Sequence, residues 1–174
     1  MWTRFLNKLF LAIAAIFLIS SQAAAETLRP FVLGDTPPGD LKQVADAVKL
    51  KVTAAGFEIV GSYSPFANAV VICVTNNDLK TNAAKVPNGG FGAAQRISVT
   101  EVKGKIQVAY VNPAYLGTAY GMGKLDSVSS KLRTALGAVK VFGSENGIPE
   151  EKLGPGMYRY AMFMPYFKDV DVFK

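Results

Sequence analysis

Residues 105–123, KIQVAYVNPAYLGTAYGMG, decide how the rest of the chain is read. Ile106, Val108 and Tyr110 alternate with Gln107, Ala109 and Val111, which gives a strand one apolar face and one mostly small or polar face. Asn112-Pro113 ends that strand, because Pro113 has no N–H for a ladder and holds Asn112 in an extended or turn conformation. The fixed φ of Pro113 suits the first turn of a short helix. In such a helix Tyr115 and Leu116 fold back over the sheet end, while Gly117, Gly121 and Gly123 stop anything longer. Tyr110, Asn112, Tyr115 and Tyr120 are therefore the candidate ligand-binding residues, since aromatic faces with a few hydrogen-bonding groups suit a small organic molecule. The plainer reading is that the tyrosines close the core with an apolar ring and a wet hydroxyl.

Working outward, residues 94–102 and 105–111 form a hairpin around Lys103-Gly104. Downstream, Leu125, Val128, Leu132, Ala135 and Leu136 share one helix face, with Lys131 and Arg133 in solvent and Gly137 at the end. Upstream, residues 57–63 alternate as a half-buried strand, residues 64–68 read as a loop, and residues 70–74 read as a central strand. Asp40 with Gln43 makes a capping box for a helix whose apolar face is Leu41, Val44, Ala45, Val48, Val52 and Ala55, closed by Gly56. A short strand at residues 30–34 precedes it, and Asn76 or Asn77 caps a short helix over residues 78–85. The order β-α-β-β-α-β-β-α, plus a C-terminal strand or wrap, predicts an α/β (α+β) two-layer sandwich with helices on one face of a mixed sheet.

The run from Val108 to Leu116, with Tyr120-Gly121-Met122 after it, resembles the most recognisable segment of the bacterial family named domain of unknown function 302 (DUF302). Residues 55–60, AGFEIV, are similar to the helix-to-strand junction that opens that family's domain, and the likeness spans roughly residues 40–137. The resemblance implies a fold and a tendency to pair, with no established activity or catalytic residues. Several members end the following strand in Cys-Asn-Pro, whereas this chain reads Thr75-Asn76-Asn77, so no thiol role carries over.

The chain opens with Arg4 and Lys8, eleven uninterrupted apolar residues at 9–19, and small residues at Ala23 and Ala25. This is the pattern of a cleavable secretory signal at residues 1–25, with an uncleaved anchor as the competing reading, and it predicts a periplasmic protein. No other apolar run approaches membrane-spanning length, so no transmembrane segment is expected in the mature chain. Arg4 and Lys8 carry two of the +6 formal charges, which leaves +4 over the 149 residues from Glu26. Its lysines and arginines are scattered without interleaved aromatics, which argues against nucleic acid but permits an acidic ligand or anionic lipid. Half the composition is apolar, enough for one core, so residues 26–143 read as a single domain.

The single Cys73, in an apolar strand, reads as a buried core thiol, and there is no histidine to serve as general base or as zinc or haem ligand. Residues 87–92, PNGGFG, lead into a strand and lack the third glycine of a dinucleotide loop, while Gly121-Met-Gly-Lys124 is followed by Leu125 where a P-loop needs Ser or Thr. No cofactor and no catalytic constellation is predicted, and an enzyme with Tyr-Lys or Ser-Lys chemistry is the weaker alternative.

Residues 144–174 form an extension: a polar linker to residue 156, then an aromatic- and Met-rich tail expected to add a strand, wrap the domain or fill a homodimer partner. Met157, Met162 and Met164 are the alternative, soft ligands for Cu(I), set against ordinary core packing. The sequence thus predicts an exported small-ligand-binding or interaction module.

Overall fold

A computed structural model describes residues 27–159 and 161–166. Strands β1 (Thr27–Leu28) and β2 (Phe31–Leu33) lead into helix α1 (Leu41–Ala54), where the Asp40 carboxylate accepts the Gln43 N–H at 2.8 Å and the Gln43 side chain accepts the Asp40 N–H at 3.0 Å. Next come β3 (Glu58–Phe66), β4 (Ala69–Thr75), α2 (Asn77–Ala83), a 3-10 turn (Gly89–Gly92), β5 (Gln95–Val102) and β6 (Lys105–Val111). The chain continues with α3 (Pro113–Ala119), α4 (Asp126–Leu136), β7 (Lys140–Phe142), β8 (Ile148–Pro149) and α5 (Glu150–Leu153).

Six strands form one sheet in the order β3-β4-β5-β6-β2-β7, and β1 pairs with β8 in a second, two-stranded sheet. The α+β two-layer architecture is as expected, but every pairing is antiparallel, so the sheet is not mixed. The reason is that β2 and β7 both run against their neighbours and fill the edge beyond β6.

One sheet face packs on α1 and α4 through Val44, Val48, Val52, Ile72, Ile97, Val99, Val108, Val128 and Leu132. Fully burying each such side chain stabilises the fold by about 1.5–3 kcal/mol. The other face carries no described helix, and there Tyr63, Arg96 and Phe31 are exposed. Cys73 alternates with Ile72 and Val74, pairs with Arg96 and is half-buried on this open face, not in the core.

Two further local readings change. The stretch at residues 64–66 belongs to β3, an edge strand whose register shifts between Tyr63 and Phe66, which is where Pro65 is tolerated. Gly117 lies inside α3 and does not stop it; its place there is set by close packing, since a Cβ would strike the Gly123 carbonyl oxygen and the Leu125 side chain. The helix ends at Tyr120 and turns through Gly121 at φ +72.

Part of the stretch read as linker is structured: β8 pairs with β1, and Leu153 is fully buried beside Leu28 and Ala119. Residues 1–26, which include the signal-like leader, and residues 167–174 lie outside the described residues. No described helix is long and apolar enough to cross a membrane.

Candidate functional site

The end of β6 and the start of α3 form one wall of a cleft of about 360 Å³. β1 and the Arg29 that follows it make a second wall, and Asp126, Ser129 and Arg133 of α4 a third. Tyr110 and Asn112 both line it.

Tyr110 is buried in the core, and its hydroxyl donates to the Gly137 carbonyl at 2.9 Å. Burial pushes this phenol up from 10.0 to about 12, against the nearby Arg133 cation, which pulls it down, and with the Asp35 carboxylate, which adds to the rise. Arg133 sits seven residues after Asp126, two helical turns along the cleft side of α4, with Ser129 between them.

Asn112 is the N-cap of α3. Its Oδ1 accepts the Ala114 N–H at 3.2 Å, its Nδ2 donates to the Arg29 carbonyl at 2.8 Å, and its own N–H donates to the Pro30 carbonyl at 2.8 Å. Asn112 therefore fixes where the backbone carrying Arg29 lies, as well as starting the helix. Among the described residues the Arg29 guanidinium donates to the Glu145 carbonyl at 2.7 Å, and it has further N–H groups. Lys124, also on the cleft, pairs with Glu150 at 2.9 Å.

Tyr115 and Tyr120 are held elsewhere. Tyr115 packs with Tyr158 against the Leu28, Ala119 and Leu153 cluster, and burial, helped by the Tyr158 hydroxyl, raises its phenol to about 12. Tyr120 stacks on Phe91 of the 3-10 turn, with centroids 5.9 Å apart, over a separate apolar hollow lined by Val86, Pro87 and Pro155. The structure brings Tyr110 and Asn112 to one cleft and leaves these two tyrosines outside it.

Met122 is buried in the core under Gly92, while Met157, Met162 and Met164 are exposed, and residues 161–164 form a turn instead of the strand that would align two of them. Among the described residues no group of three His, Cys, Asp or Glu side chains could hold a metal ion.

No family profile matches the sequence, and no curated protein matches it. Among solved structures, the chain is similar to that of an uncharacterized conserved protein, DUF302, from Bacillus stearothermophilus. The two are 16% identical and align over 61% of this chain and 94% of that one, with a TM-score of 0.50. The chain has a DUF302-like fold.

The charged residues of the cleft are harder to read from sequence than its turn. Arg29 reaches the site through its carbonyl bond to Asn112 and the β1–β8 and β2–β6 pairs, associations distant in sequence that no local periodicity announces. Asp126, Ser129 and Arg133 did leave a signal: they recur at helical spacing as a polar stripe beside the apolar face of Leu125, Val128 and Leu132. Arg133 is exposed, as expected, and lines the cleft.

Proposed function

We propose that this chain is an exported binding module that holds a small organic molecule in the cleft at the end of β6. The observation that carries the reading is the convergence, in one cleft of about 360 Å³, of apolar walls from Leu28, Val32 and Val141 with the polar groups of Arg29, Asn112 and Arg133. That combination and size suit a small ligand better than a macromolecule. Export rests on the charged start, apolar run and small residues of positions 1–25.

Native mass spectrometry of the protein purified from its own exported compartment tests this directly. A stoichiometric organic mass is expected, and it should disappear in Val141→Trp, which fills the cleft mouth from a position that is 46% exposed and so tolerates bulk. A ligand-free wild type, or an organic mass that persists in the variant, overturns the assignment.

Self-association is a second reading with its own support. Met162 and Phe163 are 71% and 97% exposed, and the helix-free sheet face separately exposes Phe31 and Tyr63. Apolar surface of this kind favours pairing of two copies.

A further inference from the structure

We infer that the ligand of this cleft is an organic anion, a small carboxylate or phosphate ester whose acid group lies between Arg133 and Arg29 and whose apolar body lies along Leu28, Val32 and Val141. The inference rests on the binding reading above and names its chemical class.

The cleft is lined by three cations, Arg29, Lys124 and Arg133, and by one carboxylate, Asp126. Lys124 is already paired with Glu150 across a part-exposed bridge. Arg133 makes no ion pair among the described residues, and Arg29 spends a single donor on the Glu145 carbonyl. Two guanidinium groups with forked donors to spare, facing one cleft, match the two oxygens of a carboxylate or the three of a phosphate.

The Ser129 Oγ is itself closed off from solvent, so the acid group is held by the two guanidinium groups and not by this hydroxyl. The alternative of a cationic ligand is disfavoured, because Asp126 alone would face three positive side chains. A neutral ligand would offer the spare donors of Arg29 and Arg133 no charged acceptor. The apolar walls select against fully hydrated inorganic ions.

Calorimetric titration with matched pairs separates the possibilities: benzoate against benzamide, adipate against adipamide, and phenyl phosphate against phenol. One or more of the anions should bind, its neutral partner at least about tenfold more weakly. Arg133→Gln should weaken the anion roughly 10- to 100-fold while Arg133→Lys recovers part of the loss, and added salt should weaken binding in the wild type. Because Arg133 is exposed and unpaired among the described residues, Arg133→Gln is expected to fold, which its circular dichroism checks. Neutral partners that bind as well as the anions overturn the anionic class and leave the small-ligand reading standing. Anion binding that ignores Arg133→Gln overturns the placement, and no binding by any probe together with a ligand-free native mass overturns both.

Discussion

The Tyr110 hydroxyl donates to the Gly137 carbonyl at 2.9 Å, which ties β6, in the interior of the sheet, to the glycine that ends α4. This bond joins two walls of the cleft, and it sets the spacing between the strand that presents Asn112 and the helix that presents Arg133. Tyr110→Phe keeps the ring and leaves the carbonyl without its donor. Chemical denaturation should show a loss of about 1 kcal/mol.

The same phenol makes stability depend on pH at the alkaline end. Tyr110 and Tyr115 are both raised from 10.0 to about 12 by burial, so above pH 10 the unfolded chain releases its protons before the folded chain does. Their contribution is complete below pH 10 and falls away between pH 10 and about 12. Melting temperature measured across that window should decline less steeply in the Tyr110→Phe, Tyr115→Phe double variant. An identical slope in both proteins would show that other groups govern the alkaline loss.

Gly117 is required by close approach, not by its φ. Gly117→Ala sets a methyl against the Gly123 carbonyl and 2.8 Å from the Leu125 Cγ, so the turn between α3 and α4 must shift. A destabilisation of about 1–3 kcal/mol is expected, whereas Gly90→Ala, which meets nothing within 4 Å, should change stability by less than about 0.5 kcal/mol.

Leu153 tests whether the start of the C-terminal extension belongs to the domain. It is fully buried with Leu28 and Ala119, so Leu153→Ala should cost about 2–5 kcal/mol. The loss should also loosen the β1–β8 pair, read as faster amide exchange at Leu28 and Ile148. Exchange that stays unchanged would mean that the pair stands without this anchor.

The exposed tail offers a separate test. If Met162, Phe163 and Met164 drive pairing, replacing all three by serine should shift sedimentation toward the monomer without altering the melting temperature.

How far each feature was legible depended on how local its cause is. The helix of residues 41–54 was announced by its own capping box and apolar period, and the β5–β6 hairpin by Lys103-Gly104, whose two residues both take positive φ. Pro113 marked the strand-to-helix junction for the same reason. The antiparallel placement of β2 between β6 and β7 was not legible, because three-residue strands owe their position to tertiary pairing. Cys73 was misplaced because an all-apolar strand does not reveal which of its faces meets the helices. At the site, Tyr110 and Asn112 could be read from the turn they build, Arg133 showed only as part of a polar helix stripe, and Arg29 is brought to them by tertiary contacts.

The most direct measurement is a backbone chemical-shift map of the isotope-labelled protein titrated with the tightest anion from the matched pairs. The largest shifts should fall on the amides of Leu28, Arg29, Asn112, Ala114, Ser129 and Arg133, all in the walls of one cleft. Shifts centred instead on Arg96, Ser98 and Ala109 of the open sheet face, or an unperturbed spectrum at saturating ligand, would contradict the assignment of the cleft as the binding site.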